Sequence, residues 1–294
     1  MLKQNEGQKN KAGRRNTAKP KERARMKDAG RTIYVDTCPF GKGKMRLIGD
    51  YAERYRGRIG FEVLAMFDLP DFEAELETEL PVLKTCPVCF HGPVFQAEHS
   101  APRGSAEYEE TMWHVRKTEK YAKLLNSSHF VMHLNNRSFT EEEKEGMLRN
   151  ALENYRELKE IFGAFGCKVL VENTGLRSEG SMLLDQREFT ELCAKEDFDI
   201  LVDIGHANAN GWDIPGLIRD LKDRIRCYHF HNNDGVHDEH RRLYEGTIDF
   251  DAVLEVISRE TPEAEWVIEY TRPEQEGDGL RQDIETLISK GSIL

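Results

Sequence analysis

The stretch Cys227–Phe250, CYHFHNNDGVHDEHRRLYEGTIDF, decides how the rest of the chain is read. It holds four of the ten histidines, His229, His231, His237 and His240, together with Asp234 and Asp238. Its first five residues alternate. In an extended strand His229 and His231 therefore share one face, with Tyr228 and Phe230 on the other. Asp238 and His240 follow, two apart, in a polar loop that closes on Glu245-Gly246. Neutral imidazole nitrogens and carboxylate oxygens gathered at one strand end are the usual donors to Zn²⁺ or Mn²⁺. A solvated loop beside a structural strand accounts for any one of these histidines. The cluster reads as a metal site because the same chemistry recurs at the ends of the other strands.

Working outward, the sequence alternates strand and helix patterns from residue 32 onward. The strands are expected at Thr32–Asp36, Gly60–Ala65, Lys84–His91, His129–His133, Lys168–Asn173, Asp199–Ile204, Ile225–His231 and Trp266–Tyr270. Helices are expected at Arg46–Tyr55, Ala106–Leu125, Thr140–Phe165, Gln186–Lys195, Ile214–Lys222, Phe250–Glu260 and Leu280–Lys290, with Pro70–Leu80 a short acidic helix or loop. Thr140 with Glu143 three residues on has capping-box spacing. Eight strand–helix units over about 260 residues have the count and length of a (β/α)₈ barrel, an α/β fold. A doubly wound open sheet is the alternative, but GKGK at 41–44 does not match the Gly-rich first turn of that fold. No linker divides residues 32–294, which read as one catalytic domain.

Composition narrows the class. At 38% hydrophobic and 32% charged, the chain suits a soluble domain. No apolar run approaches the roughly 18 residues of a membrane span. No signal peptide is seen, and the six cysteines, at 38, 86, 89, 167, 193 and 227, read as reduced core thiols of a cytoplasmic protein. Cys86-Pro87-Val88-Cys89 lacks a second pair and lies in a strand pattern. Residues 1–31 carry eleven Lys/Arg and three acids, a balance of +8; against a total of −11, the remainder stands at −19. The segment 1–31 reads as a disordered basic tail, either a solubilising extension, an arm for nucleic acid, or residues upstream of a true start at Met26. The acidic body repels polyanions, so nucleic acid is not the expected partner.

In a (β/α)₈ barrel the catalytic groups lie at the C-terminal ends of the strands. Here six successive strands deliver metal-capable side chains at that end: His91, His133, Glu172, Asp203 with His206 three residues on, His231 and Glu269. Glu172, Asp203 and Glu269 each interrupt an apolar strand, and an isolated buried carboxylate costs several kcal/mol unless paired or metal-bound. A buried ion pair with Lys or Arg is the alternative, but the neighbouring strands supply histidines. His91 and His133 bind metal or simply hydrogen-bond to a carboxylate; His206 binds metal or orients substrate. His229 lies two residues deeper than His231 and reads as packing or as support for the ligands. Glu62 is a polar group at the barrel mouth or a mid-strand ion-pair partner. His99, His114 and His129 read as ordinary core or surface residues. Arg177, Arg241, Arg242 and Arg272 follow strands five, seven and eight and are placed to grip a phosphate or carboxylate on a substrate. His237 lies in the same loop.

The segments HNNDGVHDEHRRLYEGTIDF, DIGHANANG, VENTG and FHGP resemble blocks of the xylose isomerase-like TIM barrels, the superfamily of sugar phosphate isomerases/epimerases and endonuclease IV-type AP endonucleases. The resemblance spans residues 32 to 290. The epimerase branch implies one metal held by Glu172, Asp203, His231 and Glu269. The endonuclease branch implies three metals held by these four with His91, His133, His206, Asp238 and His240. Tyr244 and Asn232 depart from the pattern, which often has Gly and Asp there.

The expected activity is that of a divalent-metal-dependent sugar, sugar-phosphate or polyol isomerase or epimerase working through an enediolate. Glu172, Glu269 and His206 are its catalytic residues, and His91, His133, Arg177, His237 and Arg241 contact the carbohydrate. Mn²⁺ or Zn²⁺ is expected first, with Co²⁺, Fe²⁺ or Mg²⁺ as alternatives. A homo-oligomer is compatible with the sequence. The alternatives are an AP endonuclease-type phosphodiesterase with a multinuclear site, and a barrel that binds ligand or serves as a lyase subunit.

Overall fold

The computed structural model describes residues 31–272, 275 and 277–293. The expected basic tail, residues 1–31, lies outside the described residues except for Arg31. Eight strands run β1 (Ile33–Asp36), β2 (Ile59–Leu64), β3 (Val88–His91), β4 (His129–His133), β5 (Lys168–Glu172), β6 (Asp199–Asp203), β7 (Ile225–Phe230) and β8 (Glu265–Ile268). All neighbouring pairs are parallel and follow chain order, and β8 closes on β1 through Ile33↔Trp266 to Val35↔Ile268. The expected (β/α)₈ barrel is the observed fold.

The helices are α1 (Leu47–Arg54), α2 (Phe72–Leu83), α3 (Ala106–Leu125), α4 (Glu141–Gly163), α5 (Gln186–Glu196), α6 (Ile204–Ala209), α7 (Ile214–Leu221), α8 (Phe250–Glu260) and α9 (Asp278–Ile293). Their starts are written in the sequence. Thr140 and Glu143 form the capping box at α4, and Asp185 with Glu188 forms another at α5. Ser105, Asp213 and Asp249 accept from the backbone N–H of the third residue beyond them, at α3, α7 and α8.

Alternation along each strand sorts side chains into two layers. Outward residues such as Phe61, Val63, Phe90, Phe130, Val169, Val171, Val202 and Ile268 pack under the helices and form the main core. Inward residues Tyr34, Cys89, Val131, Leu170, Leu201, Cys227 and Val267 form a separate apolar plug inside the barrel. Interspersed with this plug are the polar groups Glu62, His129 and His229, all buried.

Five expected boundaries are corrected. The segment at Pro70–Leu80 is a full helix to Leu83, and Lys84 N–H bonds to the Leu80 carbonyl at 3.0 Å, carrying the turn past Pro81. Strand β3 consequently begins at Val88, not Lys84. Strand β6 ends at Asp203, not Ile204, because the chain turns there directly into α6, which the sequence reading missed. Strands β7 and β8 also stop early, so His231 and Glu269 stand just beyond their last residues. GKGK at 41–44 forms one helical turn.

Candidate metal centre at the barrel mouth

The strand ends bring nine expected donors into one buried cluster. Glu172 at the end of β5 sits with His133 Nε2 3.1 Å from its Oε2 and His91 Nε2 3.5 Å from the same oxygen. Its Oε1 lies 3.2 Å from His206 Nδ1. Asp203 at the end of β6 faces His231 Nε2 at 3.1 Å and His206 Nδ1 at 3.6 Å. Asp238 approaches His206 Nε2 at 3.3 Å, His240 Nε2 at 3.1 Å and His231 Nε2 at 3.7 Å. Glu269 reaches His91 Nε2 at 3.8 Å and His231 Nε2 at 4.0 Å. Overlapping groups with donor atoms close enough for one cation each include His91/His133/Glu172, Glu172/Asp203/His206, His206/His231/Asp238/His240 and, with the deeper His229, His91/His229/Glu269.

The surrounding chain fixes which nitrogen faces inward. His91 Nδ1 is 2.9 Å from the Gly92 carbonyl and His240 Nδ1 is 3.1 Å from the Glu269 carbonyl. A carbonyl only accepts, so Nδ1 keeps its proton in both rings, and Nε2 is the nitrogen that faces the centre and frees a lone pair there once its own proton has left. His133 Nδ1 meets Asn136 Oδ1 at 2.8 Å, and Asn136 is itself held by its Nδ2 donating to the Ala97 carbonyl at 2.8 Å. Glu98, buried, accepts from Asn136 N–H at 2.9 Å and locks that loop. Asn173 and Asp203 exchange two hydrogen bonds, at 3.0 and 2.8 Å, which tie the ends of β5 and β6. The Asp203 carboxylate also accepts the His206 N–H at 2.6 Å, so one side chain caps α6 and faces the centre. His240 has φ of 45°, a left-handed conformation uncommon for a non-glycine residue, and Gln275 Nε2 holds its carbonyl at 2.6 Å.

Charge follows from this crowding. Burial pushes the Glu172 and Asp203 carboxyls up, but the facing imidazoles outweigh burial and hold both well below the usual carboxylate range: His133 and His229 for Glu172, His206 and His231 for Asp203. Burial opposes protonation of His91 and His240. Glu172 outweighs it for His91, and Glu269 with Asp238 for His240, raising each to about 9. His206 is raised well above its ordinary value against the same burial, by Asp203 and Asp238. At the end of β1, burial and the nearby Glu62 keep the Asp36 carboxyl raised well above its usual range.

The residues present fit a divalent cation. Glu172 Oε1, Asp238 Oδ1, Glu269 Oε2 and His206 Nδ1 are buried and make no hydrogen bond. Carboxylate oxygens and imidazole nitrogens left so are costly unless a charge of opposite sign sits among them.

One sequence reading narrows to one of its two options and another changes. His229 is no simple packing residue: its Nδ1 lies 3.2 Å from Glu269 and 3.6 Å from Glu172, and its Nε2 lies 2.9 Å from Glu62, which is that ring's ion-pair partner beneath the mouth. His129, read as unremarkable, sits fully buried beside Glu62 and Glu265. The expected substrate-contacting residues gather less well. His91 and His133 lie in the cluster, but Arg177 and His237 are exposed on the rim and His237 Nδ1 pairs with Asp234 at 2.8 Å. Arg241 is paired with Glu239 at 2.6 Å and Arg242 with Asp283 at 2.9 Å. Together with Arg272 these two arginines line one recess beside the start of α9. Asn136, Glu98 and Asn173 carried no sequence signal, because their roles depend on which loops meet.

A closed parallel barrel with donors converging at the C-terminal mouth defines the (β/α)₈ class with a polar, cation-suited site. A sequence model of the family described as xylose isomerase-like TIM barrel matches residues 77–290, and the chain belongs to that family. Among solved structures, a D-tagatose 3-epimerase-like protein has a TM-score of 0.72 at 20% identity, covering 89% of this chain and 97% of its own. The IolI protein with a bound zinc atom has a TM-score of 0.70 at 18% identity, over 89% and 96%. An AP endonuclease of family 2 from Brucella melitensis has a TM-score of 0.64 at 16% identity, over 86% and 98%. At these identities the likeness shows the fold alone. No curated protein sequence matches the chain.

Proposed function

We propose that the chain is a divalent-metal-dependent sugar, sugar-phosphate or polyol isomerase or epimerase that moves a carbon-bound proton through an enediolate. The observation that carries this reading is the pair of glutamates. Glu172 from β5 and Glu269 from beyond β8 enter one buried site from separated strands, with His229 Nδ1 between them at 3.6 and 3.2 Å. Two carboxylates approaching from different sides suit removal of a proton from one face of a substrate and its return to another. Glu172, Asp203, His231 and Glu269 would hold the cation. When bound, it supplies Lewis-acid polarisation of a carbonyl and its neighbouring hydroxyl, which acidifies the C–H between them. His206 donates a hydrogen bond to the oxygen that gains negative charge, and Asp238 keeps that imidazole oriented. His91 and His133 contact substrate hydroxyls at the edge of the site. The family, the epimerase-like neighbour and the acidic body, which disfavours a polyanion, support this reading.

Metal-replete protein incubated in D₂O with a panel of ketoses, aldoses, inososes and their phosphates should incorporate deuterium at carbon. Glu172→Gln and Glu269→Gln should each lower the exchange by at least a hundredfold. No exchange with any member of the panel would count against the reading.

One observation favours a second reading, a multinuclear phosphodiesterase. Asp238 and His240 complete a donor group with His206 and His231 that shares only His206 with the Glu172-centred groups. Paired cations activate water and stabilise a leaving oxygen. In that case Asp238→Asn with His240→Asn lowers metal content by one equivalent and abolishes cleavage of an abasic-site oligonucleotide. Under the isomerase reading the same pair leaves metal content unchanged.

A further inference from the structure

Below the mouth lies a second polar cluster that the proposed reaction does not use. Glu62 on β2, Cys89 on β3 and His129 on β4 come from three consecutive strands, with Glu62 and Cys89 in register, and all three point into the barrel and are at most 2% exposed. Barrel interiors are ordinarily filled with branched aliphatic side chains. A carboxylate, a thiol and an imidazole together at that depth therefore call for a partner.

We propose that the barrel floor holds its own thiophilic divalent cation, of the Zn²⁺ class, bound by Glu62, Cys89 and His129. One ligand atom from each residue lies within 4.8 Å of the others. Cys89 Sγ is 3.5 Å from Glu62 Oε2, and His129 Nε2 is 3.8 Å from that same oxygen. Zinc held tetrahedrally at about 2.0–2.3 Å from nitrogen, oxygen and sulfur spaces its ligands by roughly 3.3–3.8 Å, so little movement is needed.

The histidine is set up as a ligand. Its Nδ1 lies 3.2 Å from Glu265 Oε2 and 3.0 Å from Ser128 Oγ. With the proton on Nδ1 and shared with Glu265, the other nitrogen is a lone-pair donor, the carboxylate–histidine–metal arrangement. That nitrogen, Nε2, is buried and makes no hydrogen bond. Tyr34 Oη donates to Glu265 Oε1 at 3.1 Å and fixes the relay from below. Cys227 on β7, fully buried in the same inward-facing layer as Cys89, is the candidate for the fourth position. A hydrogen-bonded core in which the Cys89 thiol donates to Glu62 is the alternative, and there His129 Nε2 has only Glu62 Oε2, at 3.8 Å, and the neighbouring thiols to face.

Binding exchanges protons for the cation: Cys89 loses its S–H proton, and His129 any proton on Nε2, to solvent as the bonds to the metal form, with no change of oxidation state. The floor also touches the mouth. Glu62 Oε1 faces His229 Nε2 at 2.9 Å, and the other nitrogen of His229 faces Glu269 at 3.2 Å. The site is separate from the proposed isomerase chemistry and stands or falls independently of it.

The test uses the full chain, reduced with a phosphine, stripped of metal and titrated with Co²⁺. The nine donors at the mouth include no sulfur, so a near-ultraviolet thiolate-to-cobalt charge-transfer band reports the floor alone. The band should appear in the wild type, fall by at least half in Cys89→Ala together with the loss of one equivalent of metal, and persist in Asp203→Asn, which empties the mouth. It should also persist when the half-buried Cys38 and Cys86 are changed to serine. A wild-type protein saturated with Co²⁺ that shows no such band overturns the proposal even if Cys89→Ala fails to fold. A band of unchanged intensity in folded Cys89→Ala overturns it equally.

Discussion

Glu172 shows how far a single residue can be read from sequence. An acid closing the apolar run Lys168–Glu172 has few reasons to exist, and its place at a strand end points to the mouth of a parallel barrel. Asp203 and Glu269 were legible for the same reason. His229 was not. Alternation gave its face correctly, but whether a ring deep in a barrel packs or pairs depends on Glu62 and Glu269, which lie far off in the chain. The same holds for Asn136, whose amide orients His133. Gly205 gives a test at this scale. A Cβ placed there would run into the His231 imidazole, so Gly205→Ala should displace that ring. Loss of the supporting geometry of a ligand typically costs 10–100-fold in metal affinity. Competition with a chromophoric chelator should show a loss of about that size, with the circular dichroism of the barrel retained; an unchanged affinity would remove His231 from the metal shell.

At the scale of elements, the long periodic segments were read almost to the residue. Helix α3, strand β4 and helix α8 match their expected bounds, because amphipathic spacing and capping residues are local signals. Helix α6 was invisible because six residues are too few to show a period. Its start depends on Asp203, which the reading assigned to a metal or a buried ion pair and not to a cap. The carboxylate accepts the His206 N–H at 2.6 Å, and replacing a capping residue with alanine costs about 1 kcal/mol. Asp203→Ala should therefore melt below Asp203→Asn in chelator, since the amide oxygen still caps, while both variants lose metal at the mouth. Equal melting of the two in calorimetry would mean that the cap contributes nothing.

For the molecule as a whole, the barrel, and with it the closure of β8 on β1, was legible from counting strand–helix units, whereas the pairing of Glu62, His129 and His229 deep inside it was not. The cluster of ionised groups makes metal-free stability depend on pH. His91 and His240 titrate near 9 in the fold, above the roughly 6.5 of an unfolded chain. A group raised in this way contributes fully below its unfolded value and loses its contribution as pH climbs through the folded one. Glu172 and Asp203, held low, act in the opposite sense and lose theirs on acidification. Protein in chelator should thus melt progressively lower between about pH 6.5 and about pH 9. Metal-loaded protein should hold its melting temperature there, because the cation replaces the protons that leave. A flat profile in chelator would contradict the ion-pair network at the mouth. Among the described residues, no helix is long and apolar enough to cross a membrane.

The loop after β7 is pinned at both ends. Asn232 and Arg241 exchange backbone hydrogen bonds at 2.8 and 2.7 Å, and the Asn232 amide donates to the Leu243 carbonyl at 2.6 Å, a bond that an aspartate at this position would forfeit. Between those anchors the loop is tied to the mouth, Asp238 through His206 Nε2 at 3.3 Å and His240 through the Glu269 carbonyl at 3.1 Å. Because the closing bonds are made by backbone and by the Asn232 amide rather than by Asp238 or His240, the two donors can be exchanged without removing the bonds that close the loop.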